Sequence, residues 1–363
     1  MKVNIFFNYA NEKRKSMDNY GSFISQGLNK FSKKYKVKNY KPKLNFPLNK
    51  YFNLIWRLRI SRYILYPIKV FFLSRCDLTY VVDHQYGHLV NFIDSKFKVI
   101  TIHDLIPIIL HKYLKNNNTL IKYSLSKLNK FDLIIAASSH TKKDLLKYYN
   151  IDKKNIKVLH YVPEKIFNKK KINKTKFCNK FNLPIHKKKI LVFDHIFYKN
   201  FEFSVKIFEE ILKNNNDIVL IKIGNSYNKP INPVLKKKIF QMKFLNKKDY
   251  SMIFKISDLL LFPSIYEGYG IPCVEAMKSG LPIVASNNSS LKEILPKKFL
   301  FNLKDSKKIS SHILKLLNNK KFNIDNRKIS FEHSKKFNEK IFFKKLDRYF
   351  QKIFKKKNSI KTF

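Results

Sequence analysis

Three of the chain's seven glycines fall within Phe262-Pro-Ser-Ile-Tyr-Glu267-Gly268-Tyr269-Gly270-Ile271-Pro272-Cys-Val-Glu275-Ala-Met-Lys-Ser-Gly280. The apolar run Leu259 to Phe262 before it reads as a buried strand. Gly268 and Gly270 allow backbone to approach a ligand closely. Pro272 suits a first helical turn, and Gly280 suits the position past a helix end. Strand, glycine loop and helix N-terminus together make an anion site. The flanking carboxylates, Glu267 and Glu275, would repel a phosphate. Sugar or ribose hydroxyls are therefore the groups they should accept hydrogen bonds from.

The rest of the chain alternates short apolar runs with longer helical patterns, as α/β proteins do. Val3–Phe7, Leu78–Val82, Val99–Ile102, Leu133–Ala136 and Ile156–Leu159 read as strands of a first domain. Ile190–Phe193, Ile218–Ile223, Leu259–Phe262 and Ile283–Ala285 read as strands of a second. Thr141-x-x-Asp144 reads as a capping box starting a helix. The polar Asn168–Lys180 segment reads as the linker. Asn338 to Lys357 reads as a helix whose broad apolar face, including Phe342, Phe343, Leu346 and Phe350, packs on the protein or touches a membrane.

The Glu267–Glu275 segment closely resembles the E-x7-E signature of retaining GT-B glycosyltransferases of family 4, and the likeness runs on through Gly280-Leu-Pro-Ile-Val-Ala-Ser286. Thr101-Ile-His103-Asp104-Leu-Ile-Pro107 resembles that family's T-x-H-D-x-x-P strand end, Ala137–Thr141 its serine-containing turn, and Lys199-Asn200 the end of its R-K-N phosphate motif. The likeness spans roughly residues 1 to 330. It implies an α/β GT-B fold of two facing Rossmann-like domains with a central cleft. Their expected extents are 1–167 for the acceptor side and 168–337 for the nucleotide sugar. Residues 338–363 form a last helix crossing back to the first domain.

By the same resemblance, Glu275 binds the nucleotide ribose and Glu267 the donor-sugar hydroxyls. Lys199 neutralises the diphosphate, and the backbone N–H groups of Gly268, Tyr269, Gly270 and Ile271 complete its cradle. Gly224 and Gly21 let backbone approach the ligand, and His103 contacts the transferred sugar. His103, Glu267 and Lys199 are then the catalytic set. No metal or other cofactor is implied. The reaction is sugar transfer, with mannose favoured, from a nucleotide diphosphate to a cell-envelope glycan or lipid-linked acceptor. Two departures stand out: Phe193 replaces a glycine and Tyr198 an arginine. Asp194 adds a negative charge near the expected diphosphate, which leaves a donor-binding but inactive relative as an alternative.

Lys and Arg number 75 against 25 Asp and Glu, a formal net charge of +50. That excess suggests an anionic partner, whether a membrane surface, a polyphosphate-bearing substrate or nucleic acid, with an AT-rich coding bias as the competing explanation. A nucleic-acid-binding protein is the alternative reading, although no recognisable nucleic-acid motif accompanies the charge. Cys76, Cys178 and Cys273 are isolated, which fits a reducing cytoplasm and argues against disulfides and structural zinc. No apolar stretch reaches spanning length, and Met1–Tyr9 reads as a strand rather than a signal peptide. Tyr51–Arg75 mixes cations with aromatics, including Trp56, as an interfacial helix does and as an ordinary core helix with a basic outer face also does. The expected location is the cytoplasm, peripheral on the inner face of the membrane. His84 and His88, four apart, have metal-ligand spacing, but Gly87 and the lack of a third ligand argue against a metal.

Overall fold

The computed structural model describes residues 1–12, 14–43, 53–114, 118–168, 172–227, 230–243 and 245–359. The chain divides into two units: Met1–Tyr161 with Asn338–Phe363, and Val162–Phe337.

The first unit holds a six-stranded sheet of β1 (Lys2–Phe6), β2 (Lys36–Tyr40), β3 (Cys76–Val81), β4 (Ser95–Ile102), β5 (Leu133–Ala136) and β6 (Ile156–Val158). The order is β2-β1-β3-β4-β5-β6, all parallel. Inner strands of such sheets are covered on both faces, so they read as continuous apolar runs. Accordingly Val3, Ile5, Tyr80, Val99 and Ile134 are fully buried. Edge strand β2, Lys-Val-Lys-Asn-Tyr, is polar and half-exposed, which protects the edge from pairing with another chain.

The second unit repeats the plan with β7 (Lys188–Asp194), β8 (Ile218–Gly224), β9 (Ile239–Met242), β10 (Leu259–Phe262), β11 (Ile283–Ser286) and β12 (Leu300–Phe301). The order is β12-β11-β10-β7-β8-β9, again all parallel. In each sheet the direction of strand addition reverses once, between β1 and β3 and between β7 and β10. Ligands of such sheets sit outside the carboxyl ends of the strands at that reversal.

The tail forms a helix, Glu339–Ser359, that belongs to the first unit. Phe342, Phe343, Leu346 and Phe350 are buried, and the Phe343 ring stacks on Phe31, centroids 5.2 Å apart. Gly27 makes this packing possible, because an added Cβ would lie 1.8 Å from Phe343 Cζ. The apolar face is therefore covered by protein and offers no membrane surface.

The unit Val162–Phe337 includes Phe167, which packs edge-on against Tyr250 and Phe254. Several local expectations need correction. The expected linker contains a helix, Lys174–Lys180, that buries Phe177 and Cys178. The Ser139–Tyr148 helix is capped by Ser138, whose Oγ accepts from Thr141 N at 2.9 Å, and Thr141 lies inside the helix. His88 is unavailable to a metal: its ring nitrogens meet Ser124 Oγ at 2.9 Å and the Arg62 carbonyl at 3.1 Å. Burial pushes its pKa down to about 4. Tyr51 of the proposed interfacial stretch lies outside the described residues.

Candidate active site

The sheet reversal in the second unit brings together two loops that are distant in sequence. After β7 the chain makes a turn over Phe197–Lys199 and enters the Phe201–Leu212 helix through Asn200, which is left-handed at φ 57°. After β10 it runs through Glu267 to the Ile271–Lys278 helix. Backbone groups help to join the loops: Ile265 N donates to Tyr198 O at 2.8 Å, and Asn200 Nδ2 to Pro263 O at 3.2 Å.

Across that seam Lys199 Nζ lies 2.6 Å from Glu267 Oε1, with both side chains almost fully buried. The ammonium also sits 4.8 Å from the Phe262 ring centre, a favourable cation–π placement. Glu267 is fixed by its own backbone: its N–H donates to Ser289 Oγ at 2.8 Å and its carbonyl accepts from Ser290 Oγ at 3.0 Å.

Gly270 precedes the helix with φ 91°, where a Cβ would meet Leu291 Cδ2 at 2.7 Å. It supplies no side-chain cap, and Pro272 occupies the first turn. Pro272 has no N–H to offer and the Cys273 N–H donates to the Gly270 carbonyl at 3.0 Å, so the Ile271 amide and the positive end of the helix dipole are what this N-terminus presents. One turn on, Glu275 is buried and accepts from Tyr250 OH at 2.8 Å. Burial pushes its pKa up to about 8, against the opposing effect of the Tyr250 hydrogen bond.

Gly224 closes β8 with φ 138°, and an added Cβ there would lie 2.0 Å from Asp194 O. The carboxylate of Asp194 does not stand as an uncompensated charge. Lys222 Nζ is 2.9 Å from Asp194 Oδ2, and the lysine side chain is 1% exposed. Its ammonium also donates to Asn225 O and lies 5.0 Å from the Phe201 ring centre. Phe193 is buried in a cluster with Tyr250, Phe254 and Phe262. The ring that replaces a glycine is thus accommodated by core packing.

Gly21 is not in a loop. It lies inside the Lys15–Phe31 helix of the first unit, where an added Cβ would sit 2.4 Å from Phe7 Cε1. Room for the Phe7 ring by itself requires a glycine here.

The first unit's reversal, at the ends of β1 and β3, carries a buried polar cluster of its own. Asp83, fully buried, accepts from Asn8 Nδ2 at 2.6 Å and from Gln85 N at 3.1 Å, and is ion-paired with Arg14. Burial alone would raise the Asp83 carboxyl, but Arg14 and the neighbouring histidines outweigh it and hold its pKa well below the usual range. Glu12 accepts from Tyr86 OH at 2.6 Å and lies 3.5 Å from Arg62 Nη1. His103, just past β4, has its Nε2 2.8 Å from the Val82 carbonyl. A carbonyl only accepts, so this nitrogen bears the proton and Nδ1 is left as the acceptor. Burial lowers the His103 pKa more than Asp83 raises it, which keeps the ring neutral. His84 is buried and neither of its ring nitrogens makes a hydrogen bond.

Of the residues singled out in the sequence, the fold places Lys199, Glu267, Gly268, Tyr269 and Gly270 on turns and loops, Gly224 at a strand end and Ile271 and Glu275 in the Ile271–Lys278 helix, all in the second unit, and His103 in the first. Sequence reasoning missed Tyr250, Lys222, Asp83, Glu12 and Arg14. Lys222 had a signal, since a lone lysine in Ile-Val-Leu-Ile-Lys-Ile-Gly needs a buried partner. Among the described residues, no group of three His, Cys, Asp or Glu side chains is placed to hold a metal ion.

Comparison with known proteins agrees with this geometry. Residues 173–336 match the family model for glycosyl transferases group 1, and residues 86–161 match the glucosyltransferase 3-like N-terminal domain. An uncharacterized 41.2 kDa protein in the cps region of Klebsiella pneumoniae is 28% identical over 202 residues, 52% of this chain and 54% of that protein. The O-antigen chain mannosyltransferase B of Escherichia coli is 36% identical over 75 residues, 20% of either chain. The match thus spans about half, or less, of these relatives' length. The crystal structure of Anabaena HepE in complex with UDP and glucose superposes with a TM-score of 0.76 at 13% identity, covering 97% of this chain and 100% of that one. That likeness speaks for the fold. Residues 173–336 are thus a group 1 glycosyl transferase domain, and the chain has the two-domain GT-B fold.

Proposed function

We propose that the chain is a retaining glycosyltransferase that moves a sugar, mannose by preference, from a nucleotide diphosphate to a cell-envelope glycan or lipid-linked acceptor. The observation that carries this reading is the Lys199–Glu267 pair. It stands at the sheet reversal, beside an uncapped helix N-terminus, with Glu275 one turn into the helix. Such a place suits a diphosphate next to hydroxyl-bearing groups. The HepE complex with UDP and glucose and the mannosyltransferase relatives support the donor class.

In this reading the donor exchanges partners with the ion pair. The diphosphate takes the Lys199 ammonium, and Glu267 turns to the sugar hydroxyls. Glu275, ionised and held by Tyr250, accepts from the ribose hydroxyls. The bond from the sugar C1 to the phosphate oxygen breaks, and the bond from C1 to the acceptor oxygen forms on the same face. The acceptor proton passes to the departing diphosphate. Charge grows on that leaving group, so Lys199 matters most in the transition state. These groups supply the positive charge without a metal. The Asp194–Lys222 pair removes the objection that Asp194 repels the donor, which favours an active enzyme. The acceptor class places the protein on the inner face of the cytoplasmic membrane.

A thermal-shift screen against sugar nucleotides tests the reading, because a ligand held only by the folded state stabilises it by mass action. A shift with one nucleotide sugar that disappears in Lys199→Ala supports it. Transfer that persists in Glu267→Ala and Lys199→Ala alike contradicts it.

A further inference from the structure

The two short helices Leu54–Ile60 and Tyr66–Leu73, joined by a π-helical turn over Ser61–Leu65, form a continuous rod in the first unit. One side of the rod packs inward through Ser61, Tyr66, Pro67 and Val70, all buried. Arg62 also faces inward. It donates to Gln85 O at 2.7 Å and lies 4.3 Å from the Tyr86 ring centre. It belongs to the polar cluster around Glu12 and is not a surface cation, contrary to what the sequence suggests.

The other side is apolar and open. Ile55, Trp56, Ile64, Ile68, Phe71 and Phe72 are each more than half exposed, Phe72 at 75%. Among the described residues only Tyr113, Val234 and Ile324 match them, scattered along the chain. Ile64, Ile68, Phe71 and Phe72 follow helical spacing, so they share one face. Exposed apolar patches of this kind mark interaction surfaces.

The charges around the face identify its occupant. No Asp or Glu occurs from Asn53 to Cys76, while Arg59, Lys69 and Arg75 are exposed. Arg59 lies 5.2 Å from the Trp56 ring centre. Arg75 is paired with Asp94 at 3.2 Å, which leaves Arg59 and Lys69 as the cations beside the apolar face, and apolar and aromatic side chains edged by such cations suit the headgroup–acyl boundary of an anionic bilayer. Among the described residues, no helix is long and apolar enough to cross a membrane, so contact would be confined to one leaflet. We infer that this rod is an anionic-membrane docking element: Trp56, Phe71 and Phe72 enter the interface, and Arg59 and Lys69 meet lipid phosphates. The inference gives the membrane location proposed above a structural element, yet it does not depend on the transfer reaction.

Trp56 is the chain's one tryptophan, so its fluorescence reports on this face directly. The full chain is titrated with phosphatidylcholine vesicles, with and without phosphatidylglycerol. The emission should shift to the blue, and the protein should sediment, with the anionic vesicles only, and salt should reverse both effects. Phe71→Ser with Phe72→Ser should weaken partitioning about tenfold or more. Arg59→Ser with Lys69→Ser should weaken it several-fold. Lys307→Ser with Lys308→Ser, on the second unit, should change it by less than about twofold. All these side chains are exposed, and thermal melts confirm folding. Nucleotide binding by the phenylalanine variant should persist, which separates this test from that of the active site. An unshifted Trp56, equal binding to neutral vesicles, equal loss in the control, or a dimer that covers Trp56 in solution would overturn the proposal.

Discussion

Lys199 Nζ lies 2.6 Å from Glu267 Oε1, and the two residues come from loops 68 positions apart that meet only because β7 and β10 are neighbours. Both side chains are about nine-tenths buried. Removing one partner leaves a charge with little water around it. Lys199→Ala and Glu267→Ala should each destabilise the ligand-free protein by about 3 kcal/mol. Lys199→Met combined with Glu267→Leu should cost clearly less than the sum. Urea unfolding of the four proteins measures the coupling, and strictly additive losses would show that the pair does not form.

Lys222 presents the same physics more deeply. Its side chain is 1% exposed and its charge is met by Asp194. Asp194→Asn should therefore cost about 3 kcal/mol, and adding Lys222→Met should recover most of it. Equal stability of Asp194→Asn and the parent would contradict the assigned pairing.

Glu275 gives a pH dependence with a definite sign. In the native state its carboxyl keeps a proton up to about 8, because it is buried. In the unfolded chain a glutamate releases its proton near about 4.3. Between those values the native state binds more protons than the unfolded state, so this residue makes stability fall as pH rises. Glu275→Gln keeps an acceptor for Tyr250 and removes the titration. Its melting temperature relative to the parent should be higher at pH 8 than at pH 5. A constant difference across that range would remove the buried acid from the account.

Gly270 holds φ 91° at the entrance to the Ile271–Lys278 helix. Gly270→Ala should cost about 1–3 kcal/mol through backbone strain, with the Leu291 contact added to it. Nucleotide affinity should drop as well, because the Ile271 amide that follows would turn away. A melt identical to that of the parent would mean that the loop is not built as described.

Much of this fold was legible because inner strands of a parallel sheet are buried on both faces. Leu-Leu-Leu-Phe at 259–262 cannot be mistaken for a surface segment. The edge strands β2, β9 and β12 were not legible: Lys-Val-Lys-Asn-Tyr and Ile-Phe-Gln-Met are short and partly polar, and Leu-Phe is two residues long. The Glu267–Glu275 spacing located its loop from sequence. The partners of those carboxylates did not show, since Lys199 and Tyr250 reach them through tertiary contacts. Gly21 shows a related ambiguity. A glycine that makes room for an aromatic ring, here Phe7, looks in sequence like one that makes room for a ligand.

The central claim is that the reversal between β7 and β10 binds a nucleoside diphosphate through Lys199 and Glu275. Calorimetric titration of the full chain with UDP and with GDP tests it most directly, repeated with Lys199→Ala and Glu275→Gln. The account predicts that at least one diphosphate binds, that each variant weakens it about tenfold or more, as loss of a charged hydrogen bond should, and that parental affinity rises between pH 6.5 and about 8.5 as Glu275 ionises. Binding that is equal in all three proteins, or absent for both nucleotides, would contradict it.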